Sequence, residues 1–165
     1  MSRIEVSLAD PTHLADLAEI ERAADELFPP ERLPDGPGSR PPEQLQQGVD
    51  QQLLWIASLK ERVCGFALAQ DHGDWLYLEQ VSVHPRAGRR GIGRLLVEQV
   101  MSRAGERQLS GVKLTTFSDF SWNAPFYRSL GFIDWTDADG LLHERLAEQA
   151  AAGMTNRLAM IWKTG

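Results

Sequence analysis

The sequence predicts an α/β fold of the α+β kind. It is expected to be one domain (1–165) in which a mixed, mostly antiparallel sheet of six to seven strands carries a central parallel βαβ unit and flanking helices. Three apolar strand candidates joined by short polar connections lie between residues 53 and 83. A long amphipathic helix then separates the last of them from a further apolar run. The 165 residues, 42% of them apolar, suffice for one packed core and show no second one.

Arg3 to Leu8 alternates and reads as the first strand. Asp10-Pro11 follows as an N-cap with proline at the first helical position, and Leu14, Leu17, Ile20, Ala24, Leu27 and Phe28 recur at helical spacing, so a helix is expected to run to about Phe28. Pro29 to Pro42 holds six of the nine prolines and two glycines, which makes it loop. A loop of this length is either a lid or binding loop or a plain surface tether. Glu43 to Asp50 fits a short helix. Leu53 to Leu59, Val63 to Gln70 and Trp75 to Val83 are the three strands. Their links, Lys60-Glu61-Arg62 and Asp71-His72-Gly73-Asp74, are short enough for antiparallel hairpins. A helix from about Gly91 to Leu109 is followed by a strand from Val112 to Phe117. Two strands with a crossover helix between them must pair in parallel. The remainder reads as a short helix over Ala124 to Leu130 stopped by Gly131, a strand near Phe132 to Trp135, a helix from Leu141 to Ala152 and a last strand from Arg157 to Trp162.

The chain carries a net charge of −6, unevenly spread. Arg86, Arg89, Arg90 and Arg94 fall within nine residues, no acid stands between Glu79 and Glu98, and the rest of the chain is at −10. One short basic cluster on an acidic protein points to a small anionic ligand and away from a nucleic-acid face. The acidic remainder fits a cationic acceptor. No apolar run approaches a membrane span and the N-terminus lacks a signal-peptide core, so a cytoplasmic location with no membrane partner is expected. Cys64, the single cysteine, sits in an apolar run and is expected to pack as a small hydrophobe. The four histidines show no close ligand spacing, so no metal is expected.

The segment from Val81 to Arg94 steps from strand to helix through Gly88, Gly91 and Gly93. Glycines at a helix start let backbone N–H groups converge, and the helix dipole adds positive charge there, which makes an anion cradle. The GxxGxG spacing is neither that of a dinucleotide fold nor of a nucleotide P-loop. The plain alternative is a glycine-rich turn with solvated arginines. With Leu78-Glu79-Gln80-Val81-Ser82-Val83-His84-Pro85 ahead of it and Arg90-Gly91-Ile92-Gly93-Arg94-Leu95-Leu96 at its end, this stretch resembles the GNAT superfamily of acyl-CoA-dependent N-acyltransferases. Where that family has Gln or Arg three residues before its GxG, this chain has Gly88. The resemblance implies that the backbone from Gly88 to Arg94, including Ile92, holds the coenzyme A pyrophosphate. Arg86, Arg89, Arg90 or Arg94 then supplies charge, and the backbone of Val81 and Val83 pairs with pantetheine like an added strand.

The stretch from Thr115 to Phe132, with Phe126-Tyr127 and Leu130-Gly131-Phe132, is similar to the same family's second signature. Ser121 or Asn123 can cap the short helix, and Gly131 suits a left-handed position after it. Asn123 and Phe126 enter as coenzyme contacts through the resemblance, which also makes Tyr127 the general acid for the departing thiolate; a core aromatic is the other reading. An ammonium must lose its proton before it can attack. Glu79 is the first choice of base, since alternation sets Tyr77, Glu79, Val81 and Val83 on one face unless a bulge intervenes. A structural pair with an arginine is its alternative role. Asp119 and His84 are weaker candidates, and a backbone N–H near Val81 would polarise the thioester carbonyl. The expected activity is N-acetyl transfer from acetyl-CoA to a primary amine, on a small molecule or a peptide, by direct attack in a ternary complex. The alternative is a non-catalytic acyl-CoA-binding or sensor module on the same fold. The resemblance also raises a homodimer, and Trp55, Trp75, Trp122 and Trp135 are candidates to line the acceptor pocket.

Overall fold

The computed structural model describes residues 3–38, 40–135 and 140–165. Chain order is β1 (Ile4–Leu8), α1 (Leu14–Asp25), α2 (Pro42–Asp50), β2 (Leu54–Leu59), β3 (Arg62–His72), β4 (Trp75–Val83), α3 (Ile92–Glu106), β5 (Gly111–Phe117), α4 (Ala124–Ser129), β6 (Ile133–Asp134), α5 (Leu141–Ala151) and β7 (Arg157–Lys163). The strands make one seven-stranded sheet in the order β1-β2-β3-β4-β5-β7-β6. β4 and β5, joined through α3, pair in parallel; the other pairings are antiparallel.

Local chemistry accounts for most boundaries. The Asp10 side chain accepts from the Thr12 N–H at 2.8 Å, and Pro11 opens a 3-10 turn that leads into α1. That helix stops at Asp25, short of the expected Phe28; Leu27 and Phe28 continue it only as tighter turns, bonding the carbonyls of Ala24 and Asp25, and Pro29 bars continuation because the residue before proline is disfavoured in helical geometry. Phe28 instead joins an aromatic cluster, its ring 5.1 Å from that of Phe117 and 5.6 Å from that of Trp122. Between β2 and β3, Lys60 and Glu61 both take positive φ (53° and 63°), as a two-residue turn matched to strand twist requires.

Helices cover both faces of the sheet. On one, Leu96, Val97 and Val100 of α3 bury completely against Leu76, Leu78 and Leu114, each worth about 1.5–3 kcal/mol. Gly65 lets α3 come close: a Cβ there would stand 3.3 Å from Ile92 and Leu96 side-chain carbons. On the other face, Leu17, Ile20 and Leu45 pack on Ile56, Phe66 and Leu68, and Leu142 of α5 packs on Tyr77, Ala159 and Ile161.

Two irregularities in β4 open the sheet. The pairing with β3 passes from Leu68↔Gln80 to Ala69↔Leu78, so Glu79 is the extra residue of a β-bulge. The bulge reverses the alternation. Leu76, Leu78, Val81 and Val83 all join the core under α3, whereas Tyr77 packs on the opposite side with α5. The single face that alternation sets for Tyr77, Glu79, Val81 and Val83 required that no bulge intervene, and here one does. In addition, β4 and β5 share only three pairs, Trp75↔Gly111, Leu76↔Val112 and Tyr77↔Lys113. Beyond them the two strands diverge.

Candidate functional site

The divergence of β4 from β5 creates a cleft of about 830 Å³, the size of a small-molecule site. Leu78 to Val83 form one wall and Leu114 to Phe117 the other. Because among the described residues no strand pairs with β4 on this side after Tyr77, its backbone N–H and C=O groups there face the cleft as an open strand edge.

At one end of the cleft stands the N-terminus of α3. Gly91 occupies the cap position at φ 77° with no side-chain hydrogen bond to the first turn. The first amide bonded within this turn is that of Leu95, to the Gly91 carbonyl at 3.1 Å. The amides of Ile92, Gly93 and Arg94 are thus the orphan donors of a helix start. Arg89 also holds a left-handed φ of 62°, a strained choice for a residue with a Cβ that turns the loop back on itself. Gly88, Arg89, Gly91, Ile92, Gly93 and Arg94 all line the cleft, as do Val81 and Val83. Arg86 and Arg90 lie outside its lining. Arg86 donates from Nη2 to the Val63 carbonyl at 2.9 Å.

The short helix α4 closes the same side. Asn123 sits at its cap position but makes no side-chain cap bond, so the capping expected of Asn123 is not realised; its Oδ1 is buried without a partner among the described residues. Phe126 approaches Gly93, where a Cβ would stand 3.5 Å from its ring. Tyr127 is 8% exposed, packs edge-on against Phe126 and Phe132, and lines the cleft. Burial pushes its phenol well above the usual value, partly opposed by the nearby positive charge of Arg157. The phenol therefore stays protonated at neutral pH and is a proton donor.

Glu79 enters from the opposite side, projected by the bulge. Its Oε1 accepts from Arg40 Nη1 at 3.2 Å, while Oε2 is buried without a protein partner. Arg40 also reaches Glu21 at 3.2 Å, Gln44 at 2.6 Å and Gln80 at 2.9 Å. The loop from Pro29 to Pro42 is thereby bound to β4, and Leu33 from the same loop lines the cleft. Asp25, another lining residue, accepts from the Gly38 N–H at 2.9 Å, and burial holds its carboxyl above the usual range.

Sequence reasoning missed the basic side of the cleft. Arg157 donates from Nε to Gln149 at 3.0 Å and from Nη2 to the Thr115 carbonyl at 3.3 Å, and its guanidinium lies 4.4 Å from the centre of the Phe117 ring. Burial lowers its pKa to about 10. An arginine alternating with Ala159 and Ile161 on an apolar strand was the signal available for it. Arg32 stacks on the other side of the aromatic cluster, 4.7 Å from the centre of Phe120, and donates twice to Asp119.

Asp119 is consumed by that pair and by Asn156, and His84 accepts from the Arg86 N–H at 3.1 Å; neither lines the cleft, so both fall away as bases. Of the tryptophans, Trp122 alone is a lining residue, and Trp55 is buried. Cys64 is buried and donates to the Ala57 carbonyl at 3.5 Å, packing as expected. Among the described residues no group of three His, Cys, Asp or Glu is placed to hold a metal ion, and no helix is long and apolar enough to cross a membrane.

Residues 16–132 match the model of the acetyltransferase (GNAT) family. Solved structures of low sequence identity share the fold. The ribosomal-protein-S18-alanine N-acetyltransferase of Escherichia coli is 19% identical with a TM-score of 0.72, over 98% of this chain and 94% of that one. The PaiA N-acetyltransferase of Thermoplasma acidophilum, in complex with coenzyme A, is 16% identical with a TM-score of 0.73, over 98% and 99%. The N-acetylglutamate synthase of Neisseria gonorrhoeae, complexed with coenzyme A and N-acetyl-glutamate, is 16% identical with a TM-score of 0.75, over 99% of this chain but 35% of that one.

Proposed function

Since the chain belongs to the GNAT family of acetyltransferases, we propose that it transfers an acetyl group from acetyl-CoA to a primary amine by direct attack in a ternary complex. The observation that carries this reading is the convergence in one cleft of an open strand edge, an uncapped helix N-terminus, a carboxylate with one free oxygen and a buried neutral phenol.

The residues fit the co-substrate. The pyrophosphate takes the orphan amides of Ile92, Gly93 and Arg94, with Arg89 and Arg94 adding charge at the mouth. Pantetheine takes the strand place beside Val81 and Val83, which β5 leaves open. Asn123 and Phe126 face it from α4. This seats the thioester near the bulge, between the Glu79 side and the Tyr127 side.

The acceptor binds as an ammonium and gives one proton to Glu79 Oε2, directly or through a water. The freed amine attacks the thioester carbonyl, whose oxygen is met by a backbone N–H near Val81. The attacking nitrogen, cationic once the C–N bond has formed, gives its second proton to solvent, and as the C–S bond breaks the Tyr127 phenol protonates the departing thiolate and is restored from solvent. Amide, CoA thiol and one proton are the products. The thiol's pKa lies below that of the buried phenol, so the transfer assists departure without driving it.

Thiol release from acetyl-CoA against a broad amine panel tests the reading. The expected result is amine-dependent release with a matching acetylated product. CoA binding by calorimetry with no release from any amine would instead favour a non-catalytic acyl-CoA-binding module.

A further inference from the structure

The charges lining the cleft are segregated. Arg89 and Arg94 stand at the mouth; on the α1 and β4 side the lining carries the carboxylates of Asp25 and Glu79, with Glu21 and Arg40 outside it, Arg40 pairing with Glu21 and Glu79. On the β5 and β7 side it carries the guanidinium of Arg157, 4.4 Å from the centre of the Phe117 ring; Arg32, outside the lining, packs on the same ring at 4.9 Å, and among the described residues Asp119 is the carboxylate paired there. That carboxylate belongs to Arg32. Arg157 bonds only neutral groups, Gln149 and Thr115, among the described residues. A half-buried guanidinium without an anion is costly, and its planar fork is suited to binding a carboxylate in two-point fashion.

We infer that the acceptor carries a carboxylate as well as its amine, and that Arg157 binds that carboxylate across the cleft from Glu79. The acceptor class is thus a free amino acid, with ammonium toward the acidic side and carboxylate toward the basic one. Arg157 lies on the sheet face shared with Tyr77 and α5, opposite the α3 face, so its anion is distinct from the phosphates held at the α3 N-terminus. Gln149 and Thr115 fix two of its nitrogens, and Nη1 carries no hydrogen bond among the described residues. Phe28, Phe117 and Trp122 beside it offer an apolar seat for the side chain, which favours apolar and aromatic amino acids.

This inference rests on the acetyltransferase reading, and one experiment separates the two. Thiol release is followed with the twenty amino acids, their amides and their decarboxylated amines, including phenylalanine, phenylalaninamide and phenethylamine. The expected result is a preference of at least about tenfold in kcat/KM for the acid over both analogues, since a site built for a polar group discriminates strongly against its absence. Arg157→Met should remove that preference by raising KM for the amino acid, with KM for acetyl-CoA unchanged, and Arg157→Lys should keep part of it. Equal use of amide and acid by the wild-type protein, or release only with amines lacking a carboxylate, overturns the inference and leaves the acetyltransferase reading intact. An equal loss on all three substrates in Arg157→Met also overturns it. Should that variant fail to fold, the wild-type comparison decides alone. No release with any amine overturns both.

Discussion

Replacing Tyr127 by Phe removes one oxygen whose role can be isolated. No hydrogen bond to the Tyr127 hydroxyl is found among the described residues, and the ring is held by Phe126 and Phe132 whichever group sits at its tip. Deleting the oxygen leaves no partner unsatisfied, so stability should move by no more than about 1 kcal/mol. General-acid catalysis contributes about 10²–10⁴ in rate, so kcat should fall by that factor, equivalent to about 2.7–5.4 kcal/mol at 1.36 kcal/mol per decade. Thiol release at saturating acetyl-CoA measures the first quantity, thermal unfolding the second, and calorimetry checks that CoA affinity is unchanged. Full turnover in Tyr127→Phe removes the hydroxyl from the reaction. A parallel fall in Tm and CoA affinity would make the residue a packing element.

The raised phenol predicts a second, independent result: kcat of the wild-type enzyme at saturating acetyl-CoA and acceptor, where Arg157 is engaged by the acceptor, should show no descending limb up to about pH 10, the ordinary tyrosine value, because a phenol shifted upward keeps its proton through that range. A limb centred near 10 would contradict it. Glu79→Gln should slow turnover most at low pH, where the acceptor is most fully protonated, and a pH profile identical to wild type would assign the base elsewhere. Arg40→Met leaves Glu21 and Glu79 without their counter-ion and should cost up to about 3–5 kcal/mol; adding Glu21→Gln should recover part of it, and an unchanged Tm in Arg40→Met would show the cluster to be energetically neutral. Gly111→Ala would put a Cβ 1.9 Å from the Trp162 carbonyl oxygen, forcing β5 and β7 apart at a cost above about 2 kcal/mol, read as a lowered denaturation midpoint.

Much of this was legible because it is local. Apolar runs bounded by short polar links gave the strands, and the glycines at 88, 91 and 93 all line the cleft beside the N-terminus of α3. The bulge was not legible, since Glu79 sits in an apolar run without proline or glycine and the slip exists only relative to Leu68 and Ala69 on the neighbouring strand. Arg40 escaped for a similar reason. Apart from Gln44, its partners are 19 to 40 residues away, and it lies in a segment whose prolines announce a loop and say nothing of where it docks. The four nearby arginines look equivalent in one dimension, while in the fold Arg89 and Arg94 line the cleft and Arg86 reaches Val63.

The three-pair ladder between β4 and β5 also makes the sheet a lever. Two plates, β1 to β4 and β5 to β7, meet at Trp75 to Tyr77 and Gly111 to Lys113, and Val83 stands six residues beyond that junction, about 20 Å along the strand. Tilting one plate by about 3° would move the tip by about 1 Å, enough by the usual sensitivity of reacting groups to cost about a hundredfold in rate. Substitutions deep in the junction, at Leu76 or Val112, should therefore register in turnover before they register in stability.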